Sequence, residues 1–178
     1  MKRYLIVPAL ALVAVACLSV AAYAQTGPTG PGTDPKPTTT TGMSEQSLEA
    51  AIRALDPNFK VSPTTDGKGK IYTLKVARDG WTYDLKIESF QDVIWLNANL
   101  SGDLPSLQNL PAATLAELIK HQLQIGPMHF TFVKTSNGYK LNLCYMLNRQ
   151  ITVDGFNSCM NAFLKTIKDT YPTWSQIR

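Results

Sequence analysis

The chain has two histidines and three cysteines among 178 residues, and these are the first side chains to weigh for chemistry. Cys144 and His129 fall on neighbouring strand segments, one diagonal from the other, where a thiolate–imidazole nucleophile could form. No oxyanion glycines and no orienting acid accompany them, so ordinary strand packing is the expectation. His121 sits among Lys120, Gln122 and Gln124, which predicts a solvated helix face. Asp84 and Glu88 share one strand face, but glycoside chemistry needs a cleft around paired acids. Their cross-strand neighbours instead predict a salt-bridged sheet surface. The chain contains no glycine-rich phosphate loop and no metal-ligand spacing. The sequence predicts no enzyme, no cofactor and no metal. Asn99-Leu100-Ser101 is a sequon that matters only in a host that glycosylates asparagine.

Cys144 and Cys159 are a candidate disulfide, because an exported chain with two cysteines meets an oxidising compartment. The strand phase speaks against the bridge. Cys144 alternates out of step with Leu141, Leu143 and Tyr145, whereas Cys159 lies three residues after Phe156, near a helical core stripe. Helices covering one face would place the two thiols on opposite sides of the sheet.

The third cysteine, Cys17, belongs to the N-terminal segment. Lys2 and Arg3 precede an apolar run over residues 5–22, and Ala22-Tyr23-Ala24 fits a small-x-small cleavage site. Residues 1–24 read as a secretory signal peptide, which places the mature chain outside the cytoplasm, in the periplasm or secreted. The alternatives are an uncleaved membrane anchor and a lipoprotein cysteine at Cys17, whose box would prefer leucine where Ala14 stands. A membrane contact is expected only through an uncleaved segment. Removing Lys2 and Arg3 lowers the formal net charge from +4 to +2, and no Lys/Arg run remains, so nucleic acid is not an expected partner. Residues 25–43 are a Pro/Gly/Thr-rich linker with nothing apolar to bury. Residues 44–178 form the folded domain.

The elements of that domain follow from spacing. Leu48, Ala51, Ile52 and Leu55 predict a helix capped by Ser44 or Ser47 and stopped at Asp56-Pro57. A short extended piece over residues 59–61 comes next. Asp79-Gly80 is a two-residue hairpin turn, and it sets Val76 opposite Tyr83, Leu74 opposite Leu85, and Tyr72 opposite Ile87. Lys75 then faces Asp84, and Ile71 faces Glu88. A turn over residues 89–92 would bring a third strand in with Leu96 opposite Leu85. Residues 112–124 read as a helix with Leu115, Leu118, Ile119 and Leu123 on its buried side. A second hairpin turned at Asn137-Gly138 would set Phe132 opposite Leu143 and Phe130 opposite Tyr145. Phe156, Met160, Phe163, Leu164 and Ile167 mark the last helix, closed by Pro172. The class is α+β: a five-stranded antiparallel sheet in the order α-β-β-β-α-β-β-α, with the helices packed mainly on one face.

This order, together with the strand-to-helix passage LNLCYMLNRQITVDGFNSCMNAFLKTI over residues 141–167, resembles the type III secretion chaperone-like fold, including the YbjN-like sensory transduction regulators. The resemblance implies a small, often dimeric, non-enzymatic module that binds proteins or peptides. An export signal departs from that family, whose chaperones act in the cytoplasm.

On the sheet face that the helices leave free, Ile71, Val93, Trp95, Val133 and Met146 are a candidate partner surface. The expected function is an exported protein- or peptide-binding module, with homodimerisation as one use of the face. The alternative is a carrier of a small apolar ligand, such as a lipid, gripped between the sheet and the last helix.

Overall fold

The computed structural model describes residues 42–177. The expected signal peptide, its cleavage near Ala24 and nearly all of the expected linker lie outside them. Met43, read from sequence as the end of the linker, is instead 4% exposed and part of the core. Its amide donates to the Arg149 carbonyl at 2.9 Å.

Helix α1 (Glu45–Leu55) begins where the Ser44 hydroxyl accepts from the Ser47 amide at 3.1 Å. Asp56 ends it with extended backbone, and its carboxylate accepts from the Asn58 amide at 2.8 Å and the Lys75 amide at 2.8 Å. One side chain thus stops the helix and fastens it to the sheet. Strands β2 (Lys70–Arg78) and β3 (Trp81–Ser89) meet in the expected register. Asp79 at φ 52° and Gly80 at φ 79° supply the two left-handed turn residues.

The sheet has six antiparallel strands, not five. The addition is β1 (Lys60–Pro63), which pairs with β2 at the sheet border. All four of its residues are exposed, so it carries no buried alternation, and backbone pairing alone makes it a strand. With β4 (Val93–Asn99), β5 (Met128–Thr135) and β6 (Gly138–Asn148) the spatial order is β1-β2-β3-β4-β6-β5.

Two registers differ from expectation, each by two residues. Leu96 pairs with Ile87 rather than Leu85, because Ser89 still pairs with Ile94 and the turn begins later. Phe130 pairs with Leu143 rather than Tyr145, and Thr135 with Gly138, so the loop residues are Ser136 and Asn137. Gly138 sits at φ 131°, and a Cβ there would lie 2.1 Å from the Leu104 carbonyl oxygen. Leu104 and Tyr139 exchange backbone hydrogen bonds of 2.7 and 2.8 Å, so the 102–111 loop presses onto this glycine.

Helix α3 (Val153–Asp169), capped by Thr152, buries Phe156, Met160, Phe163, Leu164 and Ile167 as the spacing predicts. These meet the sheet face built from Tyr72, Leu74, Val76, Leu85, Ile87, Leu96, Leu141 and Leu143, all under 5% exposed. Pro172 does not close the last helix. Thr170 does, with its hydroxyl donating to the Thr166 carbonyl at 2.7 Å, and Pro172 lies in the first turn of a further helix, α4 (Tyr171–Trp174).

Helix α2 (Ala112–Gln122) buries Leu118 as expected, but its inward side is rotated away from Ile119 and Leu123. Thr114 and Leu118 are buried, whereas Ile119 is 64% and Leu123 83% exposed. The reason is its position beside β5 and α4 rather than over the sheet centre. His121 is accordingly not on a solvated face: its Nε2 lies 3.0 Å from Thr173 Oγ1. The Gln122 side-chain amide donates to the Met128 carbonyl at 2.9 Å and accepts from the Phe130 amide at 2.8 Å.

A polar knot ties α1 to the sheet. The Glu45 carboxylate accepts from Tyr72, Ser89 and Arg149, while Arg149 also donates to the Met43 and Phe90 carbonyls and to Ser89. Burial and the Glu45 carboxylate push the Tyr72 phenol well up, so it remains a donor.

Candidate functional site

Strand alternation sends every second side chain of β2, β3, β4, β5 and β6 away from the helices. On this outward face Ile71, Glu88, Trp95 and Met146 stand side by side across β2, β3, β4 and β6. The next row is Thr73, Lys86, Asn97, Cys144 and His129. Beyond it, Lys75 faces Asp84, and Asn142 lies between Asn99 and Thr131.

The structure brings four of the five expected surface residues together and separates the fifth. Trp95 lies directly opposite Met146, Val93 is two residues earlier on the same face, and Ile71 is two strands away behind Glu88. Met146 is 52% exposed. Val133 pairs with Lys140, six residues along β6 from Met146, so it stands about 20 Å away at ~3.3 Å per residue. The apolar surface is therefore a cluster at one end of the face, with Val133 isolated at the other.

His129 is directly opposite Cys144, not diagonal to it. The surroundings favour the neutral thiol over the thiolate. Trp95 and His129 approach edge to face with ring centroids 6.3 Å apart, and the thiol between them on β6 is buried. Its Sγ donates to Asn97 Oδ1 at 3.0 Å. Burial, with a smaller push from Glu88, raises the Cys144 thiol to about 11, so it stays protonated at neutral pH. Cys159 is on the helix side, with Sγ 3.4 Å from the Tyr145 hydroxyl. That contact, followed by burial, raises the Tyr145 phenol to about 12. Both cysteines are free thiols, on opposite faces of the sheet.

Two ion pairs form on and beside the outward face, while its Lys86 and Glu88 enter none among the described residues. Lys75 Nζ lies 3.5 Å from Asp84, and Lys140 Nζ lies 3.6 Å from Asp103. Pairs this exposed stabilise little, but they leave the surface close to neutral. Among the described residues no three His, Cys, Asp or Glu side chains group as a metal site. None of the described helices is long and apolar enough to cross a membrane.

Between the apolar cluster and Val133 runs an open groove of about 440 Å³, lined in part by Thr73, Asn97, Asn99, Lys140 and Asn142. Asn142 Oδ1 is buried without a hydrogen-bond partner. The sequence reading missed this polar groove. The signal was there in Asn97 and Asn99, two residues apart on the face away from Ile94, Leu96 and Ala98.

Comparison with protein-family models, with curated proteins and with solved structures produced no match for this chain.

Proposed function

We propose that this chain is a non-enzymatic module that binds another protein through the outward sheet face, acting outside the cytoplasm after export by residues 1–24. One observation carries the reading. Trp95 and Met146 face each other beside Val93 on a sheet surface that none of the described helices covers, and large apolar side chains so placed mark contact surfaces. The element order lends further support. The observed order α1, β1–β4, α2, β5–β6, α3, α4 has one strand and one helix more than the order on which the resemblance to the secretion-chaperone-like fold rests, and a protein-binding role is what that resemblance would imply.

A carrier for a small apolar ligand would need room between the sheet and α3. Phe156, Met160 and Phe163 are all fully buried there, packed against the sheet. The outward face is the better-supported surface.

A photo-crosslinking side chain placed at Met146, with Lys165 on α3 as the comparison, tests the proposal in the producing cell. The expected result is a discrete protein adduct from position 146 and none from position 165. An adduct of twice the chain mass identifies the partner as a second copy. Equal labelling from both positions, or adducts with lipid alone, would overturn the proposal.

A further inference from the structure

The groove beside the apolar cluster has a chemistry of its own. Asn97 and Asn99 project from β4 on one face, and Asn142 stands opposite Asn99 on β6. A primary amide carries a donor and an acceptor in the same plane, as a peptide group does. It can therefore pair with both the N–H and the C=O of another backbone. Side chains two residues apart on a strand repeat every ~6.6 Å, which is also the repeat of like-facing backbone groups in an extended chain laid along that strand.

Asn142 adds a second, independent observation. Its Oδ1 is buried and accepts no hydrogen bond, so that oxygen gains a partner from a ligand only if the amide turns it toward the groove. Buried polar atoms are normally satisfied, and an unsatisfied one costs free energy that a suitable donor recovers. Asn97 uses its oxygen on the Cys144 thiol and keeps its amide hydrogens for other acceptors. Of the charged side chains that line the groove, Asp84 is matched by Lys75 and Lys140 by Asp103, whereas Lys86, opposite Asn97 on β3, enters no ion pair among the described residues.

We infer that Asn97, Asn99 and Asn142 form a main-chain recognition ladder for an extended peptide segment of the partner protein, running along β4 and β6 with Trp95 at one end and Val133 at the other. This rests on the proposed binding function and specifies how the same face reads its partner: by backbone in the groove, and by apolar side chains at Trp95 and Met146. A glycan is the competing occupant, since amides also bind hydroxyls. Its sugar repeat has no reason to match the strand spacing.

The test titrates the isotope-labelled full chain with acetylated, amidated octapeptides of Ser, Thr, Gly and Val, and in parallel with a neutral hexasaccharide, and follows side-chain amide, indole and methionine methyl resonances. The ladder requires peptide-induced shifts at the amides of Asn97, Asn99 and Asn142. Removing one or two neutral hydrogen bonds should weaken binding about tenfold in the Asn99→Ala/Asn142→Ala variant. Asn99→Ala alone, at an exposed position, keeps the comparison usable should the double variant unfold, and should weaken binding severalfold. Shifts confined to Trp95 and Met146 overturn the ladder and leave the binding face standing. Saturable binding of the hexasaccharide alone also overturns the ladder. Silence of the whole outward face toward every octapeptide overturns the ladder too, whereas the binding-face reading is decided separately by the crosslink from position 146.

Discussion

Arg149, just past the end of β6, donates to the carboxylate of Glu45 in the first turn of α1, across 104 residues of chain. The same guanidinium holds the Met43 and Phe90 carbonyls and the Ser89 hydroxyl, so it closes one end of the domain. Its loss leaves Glu45 with reduced compensation for its partial burial. Arg149→Ala should therefore lower unfolding free energy by about 2–4 kcal/mol in urea titrations, against less than ~1 kcal/mol for Arg53→Ala on the exposed side of α1.

The same knot sets an acid limit. Burial alone would raise the Glu45 carboxyl, but hydrogen bonds from Tyr72, Arg149 and Ser89 outweigh it and hold the group below its ordinary value of 4.5. A carboxyl depressed in the folded chain contributes stability above that ordinary value. The contribution is lost as pH falls through the folded value. Denaturant midpoints measured from pH 6 downward should drop below about pH 4.5, and Glu45→Gln should flatten that limb. An unchanged slope in the variant would assign the acid loss to other groups.

Cysteine reactivity should divide by face. Under native conditions at mildly alkaline pH, a thiol reagent should modify Cys159 far faster than the covered, strongly raised Cys144. Cys159→Ser should remove the faster of the two domain-thiol phases, and Cys144→Ser should leave it.

The orientation of α2 gives a sharp contrast. Leu118→Ala, at a position 5% exposed, should cost about 2–4 kcal/mol. Leu123→Lys, at 83% exposed, should change stability by less than ~0.5 kcal/mol. Equal losses at both positions would contradict the observed helix rotation.

Much of this architecture was legible from residues alone, and the misses share a cause. Asp79-Gly80 pins one hairpin because both turn residues need left-handed backbone, and its whole register followed. The second hairpin was read from Asn137-Gly138, but Gly138 serves the close approach of Leu104 and the turn moves one residue back. Both register errors were steps of two, so the faces survived, and with them the placement of Trp95, Met146 and Cys144. β1 is legible only as a short extended piece over residues 59–61 and not as a sheet member, because four exposed residues carry no hydrophobic period. The phase of α2 was wrong because periodicity counts apolar residues without knowing which neighbour receives them. In the outward face, apolar residues attracted notice and Asn97, Asn99 and Asn142 did not, since polar side chains on a strand look like plain solvent exposure until a groove joins them.

The two bonds from the Gln122 amide to Met128 and Phe130 have a consequence for assembly. They satisfy backbone groups at the outer border of β5, so a strand arriving from another copy must first evict a side chain of the host. At the opposite border β1 is four residues long and ends in Pro63, which offers no amide hydrogen. Head-to-tail stacking of sheets into an open filament is opposed at both borders. The broadside contact proposed for the outward face escapes this opposition, whereas edge-on growth into a fibre does not.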